Sequence, residues 1–300
     1  MGALLQIILG AVMLGLLWAL MAMGVYITYR ILDIADLTVD GSITLGAAIA
    51  AQGIYLGLNP FIATLLAVFG GMVAGLITGL LHTQLKIPPL LSGILTMIGL
   101  YSINLRIMGR ANLSLLRMKT VYSYFTAWGA SQLVSILSFA VLCVLGIVAF
   151  LWWFFGTEMG YALRSTGDNP QMARAQGVNT KSMIMLGLIL SNGLVALSGA
   201  LIAQQQAYAD VQMGTGAIVI GLASVIIGEV LFGTRNFFNC LISLVLGAIT
   251  YRVIIALVLE LGMPAHDLKL FTAITVAIAL ALPVFRLYLN PIVKSAKGGA

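Results

Sequence analysis

Residues 158–181 read EMGYALRSTGDNPQMARAQGVNTK, 24 residues of mixed polar and charged character. On either side lie residues 120–157 and 182–209, which contain no Asp, Glu, Lys or Arg at all. A helix needs about 20 apolar residues to cross a bilayer, so each flanking run holds at least one span and the island between them cannot be one. Inside the island, Asp168-Asn169-Pro170 has the form of an N-cap followed by proline in the first turn. A short helix is expected from Pro170 to about Gln176, with Gly177 as its C-terminal cap and Asn179 or Thr180 capping the next span. The product is a stubby helix lying across one membrane face, with Ala173 and Ala175 small enough for a partner to approach. Spacing alone leaves a solvated loop with one helical turn equally open.

Working outward, the rest of the chain is apolar enough to need lipid as its solvent. Of its 300 residues 61% are hydrophobic and 8% are charged, against roughly 25% charged residues in soluble domains. Residues 1–29 carry no charge. With no basic residue before Arg30 and an apolar run too long for a signal peptide, this stretch is expected to be a retained first span. Charges, prolines and glycines divide the chain into about nine membrane segments, at 5–28, 42–57, 61–82, 89–108, 134–155, 181–203, 215–232, 236–258 and 268–288. The expected fold is all-α, a polytopic transmembrane helical bundle forming a single domain over 1–300. Its first half runs from about 10 to 108, its polar segment from about 158 to 180, and its second half from about 181 to 288. The segments at 42–57 and 215–232 are short and rich in small residues, a composition that packs inside the protein rather than against lipid.

Basic residues favour the cytoplasmic side. With the N-terminus outside, the cytoplasmic segments hold Arg30, Lys86, Arg164, Arg174, Lys181, Arg235, Arg286, Lys294 and Lys297. The outer ones hold Arg106, Arg110, Arg117, Lys119 and Lys269. The balance favours an outer N-terminus and a cytoplasmic C-terminus, although the basic stretch 106–119 runs against it. The chain also repeats itself. Ile34-Ala35-Asp36-Leu37 aligns with Tyr208-Ala209-Asp210-Val211, and Lys86-Ile87-Pro88 with Gly262-Met263-Pro264, each followed by a helix bearing a threonine, Thr96 and Thr272. An odd number of spans separates the matched starts, so the halves are expected to be inverted, an arrangement common in transporters.

Chemistry on the chain is sparse. There is no phosphate-cradling GxxxxGK[ST] loop and no nucleophile–base pair at a workable spacing. Cys143 and Cys240 lie in apolar runs as small packing residues, and His82 and His266 fall near span ends. Nucleic acid is not an expected partner. On the 89–108 helix, Gly93, Met97, Tyr101, Asn104 and Met108 share one face, beside a small stripe of Ser92, Thr96 and Gly99, while Thr272 and Thr275 sit one turn apart on the last helix. Ser92, Thr96, Met97, Tyr101, Asn104, Thr272 and Thr275 are the candidate lining of a path without fixed charge, suited to a neutral or zwitterionic solute. Hydroxyls bonding within their own helices are the plain alternative. Arg252 lies at membrane depth and either snorkels or pairs with Glu260; Glu229 lies near Arg235. Asp36, Thr38, Asp40 and Ser42, with Arg30 and Asp33, are expected at the inner mouth, with Arg30 and Asp33 paired if the helix continues and Asp40 capping a segment that starts at Gly41 or Ser42. Asp210, Glu260 and Asp267 are expected at the outer mouth.

The polar segment resembles a known one. Gly160, Ala162, Leu163, Arg164, Gly167, Asn169, Ala173, Gly177 and Val178-Asn179 are similar to the cytoplasmic coupling segment of ABC-importer permeases of the branched-chain amino acid and ribose type. Asp36-Leu37-Thr38-Val39-Asp40-Gly41-Ser42 resembles the DLSVGS-like element of the sugar members, with Asp40 inserted ahead of the Gly-Ser pair. By this resemblance the extra N-terminal span of the sugar permeases is not expected here, as in the branched-chain and aromatic amino-acid permeases. The run IPPLLSGILTM, Ile87 to Met97, is similar to a subgroup associated with tryptophan or tyrosine uptake. The resemblance covers about residues 10 to 288. It implies a permease that pairs with a second copy in lipid, sits on two cytoplasmic ATPase subunits and receives solute from an extracellular binding protein. ATP and Mg would be held by the ATPase, with no cofactor and no enzymatic activity on this chain. Coupling would fall to Gly160, Leu163, Arg164, Gly167, Asp168, Asn169, Pro170, Ala173, Arg174, Gly177 and Asn179. An ion-coupled secondary transporter, which also uses inverted repeats, is the competing reading, though acids are nearly absent from mid-span positions.

Overall fold

The structure is a computed structural model that describes residues 2–126, 132–261, 267, 270–275, 277, 278 and 281. Among the described residues up to 261, eleven α-helices and two short strands follow in order: α1 (Gly2–Tyr26), α2 (Thr38–Tyr55), α3 (Pro60–Thr83), α4 (Pro89–Met108), β1 (Asn112–Ser114), α5 (Val121–Thr126), α6 (Gln132–Phe155), α7 (Glu158–Asp168), α8 (Pro170–Ala175), α9 (Thr180–Gln206), β2 (Tyr208–Asp210), α10 (Ala217–Phe232) and α11 (Phe237–Glu260). One π-helical turn, Ile27–Ile31, continues α1. Leu270–Thr275 is also helical, whereas Gly262-Met263-Pro264, His266 and most of the expected 268–288 span lie outside the described residues.

Local sequence sets these boundaries. Asn59 accepts a hydrogen bond from the Phe61 N–H at 3.0 Å and Pro60 opens α3; Pro88 and Pro89 open α4, and Gly109, at φ +67°, closes it. Asn179 caps α9 through the Ser182 N–H at 3.3 Å. Among the described residues, six helices are long and apolar enough to cross a membrane: 5–31, 60–83, 89–108, 133–155, 180–206 and 237–260. The outer faces of α3 and α6 are exposed and apolar, as at Leu65, Phe69, Leu142 and Trp153, which suits contact with lipid chains. α10 is apolar but only 16 residues long, and α2 is buried over most of its length.

The small residues explain that burial. α2 lies among α3, α4 and α9. Gly199 of α9 rests on the Ile43 carbonyl of α2, and Gly75 of α3 on the Leu188 carbonyl of α9, so close that a Cβ at either position would overlap backbone. Backbones that touch in this way hold helices together where lipid supplies no hydrophobic drive. At one end of the bundle β1 and β2 pair antiparallel, with Asn112 opposite Asp210 and Ser114 opposite Tyr208. This ladder falls in segments read from sequence as plain loops. At the other end stand α7 and α8.

We expect Gly75→Leu to lower stability by at least about 3 kcal/mol, the upper range for overpacking. Gly99→Leu, on a face where a Cβ meets nothing within 4 Å, should leave the melting temperature of detergent-solubilised protein unchanged. Equal melting of the two variants would contradict the backbone contact between α3 and α9.

Candidate functional site

Two regions carry polar chemistry. The first is the entry to α2. After the π turn the chain breaks at Asp33, which has φ +55°, so the helix does not continue and Arg30 does not pair with Asp33. Arg30 instead meets Glu229 of α10, Nε to Oε1 at 3.2 Å. With Arg30 59% exposed, such a pair stabilises by no more than about 1 kcal/mol. Glu229 is thereby matched to Arg30 rather than to Arg235.

Asp36 follows, buried, and both of its oxygens are used. Oδ1 accepts the Thr38 N–H at 2.9 Å and Oδ2 accepts the Asn192 side-chain amide at 2.8 Å. Asn192, on α9, takes the Ser42 hydroxyl on its own Oδ1 at 2.6 Å. Beside this cluster the Thr38 hydroxyl lies 2.8 Å from that of Thr78 on α3, which donates to Thr96 of α4 at 2.9 Å. Asp36, Thr38 and Ser42 are therefore fasteners joining α2 to α9, α3 and α4. Asn192 was missed in the sequence, although an asparagine in the charge-free run 182–209 was a legible signal.

Asp40 has a different task from the one expected. α2 already begins at Thr38, so Asp40 does not cap it. Its carboxylate reaches the start of α10, accepting the Gly216 and Ile218 N–H groups, each at 2.9 Å. Thr44 completes the join by accepting the Gly214 N–H at 3.1 Å. Next to this contact is a cavity of about 370 Å³, lined by Asp40, Gly41, Thr44, Met97, Ile98, Tyr101, Ser102, Asn104, Val211 and Thr215.

That cavity contains only part of the expected path. Met97, Tyr101 and Asn104 line it. Ser92 and Thr96 do not: both are buried, with hydroxyls bonded to backbone carbonyls of their own helix or its N-terminal flank. Thr272 accepts from the Tyr251 hydroxyl at 3.2 Å, and the Thr275 hydroxyl donates to the Phe271 carbonyl at 2.8 Å. Neither is on the cavity wall. Asp40, expected from sequence at the inner mouth, and Thr215 also line the cavity, and Asp40 gives its wall a carboxylate. Arg252 does not pair with Glu260; its guanidinium lies 4.0 Å from the centroid of the Trp18 ring, a cation–π contact.

The second region is α7 and α8. The stretch before Asp168, to which the sequence assigns no element, is an eleven-residue helix, because Thr157 caps it and Gly160 lets it turn tightly against the backbone of Phe154 and Phe155. Asn169 caps α8 through the Gln171 and Met172 N–H groups at 3.1 and 3.0 Å. Gly160, Leu163, Gly167 and Ala173 of the expected coupling set face inward: Leu163 and Ala173 are buried, and Gly167 sits on the Ile31 carbonyl. Ala173 is therefore not open to a partner. Asp168, Asn169, Pro170, Arg174, Gly177 and Asn179 are exposed, as are Met172 and Ala175. Arg164 is half-buried, with its guanidinium 4.0 Å from the Phe237 ring centroid of α11.

A multi-pass helical bundle with a small polar helix standing at one end is the build of a membrane permease. Residues 7–292 match the family described as branched-chain amino acid transport system, permease component, and the chain belongs to that family. It is the membrane component of an ABC transporter, a class that works with an ATPase and a binding protein. A tyrosine transport system permease protein of Clostridioides difficile is 45% identical, over 89% of this chain and 88% of that one. An uncharacterised protein of Rickettsia prowazekii is 37% identical, over 86% and 91%. An autoinducer 2 import system permease protein of Yersinia pseudotuberculosis is 30% identical, over 75% of this chain and 62% of that one. A solved metal-chelate type ABC transporter in an inward-facing conformation shares the fold, with a TM-score of 0.50 over 94% of this chain and 85% of that one at 16% identity.

We expect Asn192→Leu to cost about 3 kcal/mol or more, because it strands a buried carboxylate. Ser42→Ala should cost about 1 kcal/mol, the loss of one hydrogen bond. Equilibrium unfolding in mixed micelles measures both. Equal, small losses would show that Asp36 does not depend on Asn192.

Proposed function

We propose that this permease imports an amino acid, an aromatic one before a branched-chain one, from an extracellular binding protein into the cytoplasm. Two copies pair in the membrane over two ATPase subunits, which hold ATP and Mg and carry out hydrolysis. The observation that carries the reading is α8, a capped helix whose exposed face holds Pro170, Gln171, Met172, Arg174 and Ala175 and is free to enter a cleft on a partner. The 45% identical relative, named for tyrosine transport, supports the aromatic solute. The exposed apolar side chains Leu95, Ile98 and Tyr101 of α4, beside the cavity, support a path between paired copies.

The inverted repeat and the nine-segment topology belong to the same proposal. α1, α2 and α3 match α9, α10 and α11 in order and nearly in length, 25, 18 and 24 residues against 27, 16 and 24. Asp36 and Asp210, aligned in sequence, act alike. Each accepts the N–H two residues on, at 2.9 and 2.7 Å, and each takes an asparagine amide, from Asn192 at 2.8 Å and Asn112 at 3.2 Å. Arg30, Arg164, Arg174 and Arg235 gather at the α7–α8 end, which supports a cytoplasmic assignment for that end, with the N-terminus outside and the C-terminus inside.

In proteoliposomes holding the permease, its ATPase and its binding protein, Ala175→Trp on the open face of α8 should cut ATP-driven uptake by roughly tenfold or more. Insertion and melting temperature should not change, since the side chain points away from the bundle. Undiminished uptake would remove α8 from the coupling contact.

A further inference from the structure

We propose that the cavity between α2 and α4 is a solute site that selects for a primary ammonium group, with Asp40 as the anchoring charge. This rests on the import reading above and narrows its substrate to solutes bearing an ammonium group beside an apolar body, as a zwitterionic aromatic amino acid does.

The argument begins with charge. Asp40 is a half-buried carboxylate on the cavity wall. Among the described residues no basic side chain forms a salt bridge with it. The backbone N–H groups of Gly216, Ile218 and Ala217 face its carboxylate, and with the positive end of α10 they stabilise the anion without neutralising it. A carboxylate accepts about four hydrogen bonds, so acceptor capacity remains for one further donor group. A negative charge held away from water in this way favours a cation that brings its own donors. Water reaches the same lone pairs at lower energetic gain, so the preference falls to a solute carrying three N–H donors.

The second observation is an unmet acceptor on the same wall. Asn104 is 1% exposed, and its amide donates to the Gly41 carbonyl at 3.3 Å. Its Oδ1 is buried and accepts no hydrogen bond among the described residues. Buried acceptors left unpaired are uncommon and costly. Gly41 follows Asp40 directly, so Asn104 sits beside the charge across the α2–α4 seam. Oδ1 is sealed in this conformation, so Asp40 takes the ammonium and the Asn104 carbonyl oxygen adds a partial negative charge beside it. Tyr101, Ser102 and Thr215 bring hydroxyl donors for a carboxylate, while Met97, Ile98 and Val211 give the apolar wall.

The test uses the full-length permease in nanodiscs, without binding protein, and saturation-transfer NMR, which reads weak binding. The probes are L-tyrosine, tyramine, which lacks the carboxylate, and 3-(4-hydroxyphenyl)propionate, which lacks the ammonium. Tyrosine and tyramine should bind and compete, and the propionate should bind at least about tenfold more weakly. Asp40→Asn should weaken tyramine by a similar factor. Thr215→Lys, which puts an ammonium into the cavity, should abolish tyramine binding. If the propionate binds the wild-type protein as well as tyramine does, the assignment is overturned whatever the variants do. Tyramine binding unchanged in a folded Asp40→Asn protein overturns it too. ATP-driven uptake by the full complex is scored separately: uptake without ammonium preference sinks the site alone, and ammonium-selective binding without uptake sinks the import reading alone.

Discussion

A carboxylate buried among apolar helices has to find donors inside the protein, and Asp36 finds one two residues along its own segment and one on α9. The arrangement of the bundle's centre follows from that. The Thr38 N–H fixes where α2 can start, and the Asn192 amide fixes which helix lies alongside. Because Asn192 also receives Ser42, one turn further along α2, the two helices are held at two points in register. Gly199, seated on the Ile43 carbonyl, then sets the spacing between them. An interhelical hydrogen bond in a membrane contributes only about 0.6 kcal/mol on average. Its weight here comes from the charge that would otherwise be stranded.

With α2 fixed at Asp36, Asp40 is carried one turn on to the start of α10. A side chain from the first half of the chain thus caps a helix of the second half. The chain break at Asp33 and the small residues of α2 are both needed for this: a continuous helix from α1 would carry Asp40 elsewhere, and larger side chains would keep α2 from the centre. The cavity is a by-product of the same placement, lying where α4 meets α2 on the side facing α10.

Much of this was legible in the sequence and part was not. α4 runs from Pro89 to Met108, as its prolines and Gly109 dictate. The cap at Asn169 and the short helix after it were equally plain, since capping is local chemistry. The tertiary partners were not. Helical spacing, all that a sequence offers, allows Arg30 to meet Asp33 if the helix continues and Arg252 either to snorkel or to meet Glu260; the structure gives them Glu229 and Trp18, from distant elements. For Ser92 and Thr96 the sequence leaves path and packing both open, because hydroxyls on one stripe look alike whether they face a channel or a neighbouring helix. Asp40 was placed on the right element and given the wrong partner, since nothing local indicates that Gly216 lies beside it.

Gly167 of α7 rests on the Ile31 carbonyl with no side chain between them, five residues before Asp36. Side chains in a joint give it play, because rotamers absorb small displacements before the main chain moves. A joint of backbone on backbone has no such slack. If α7 and α8 carry the coupling role proposed above, a small displacement of α7 would reach the segment that ends at the buried aspartate with little of it taken up by side chains.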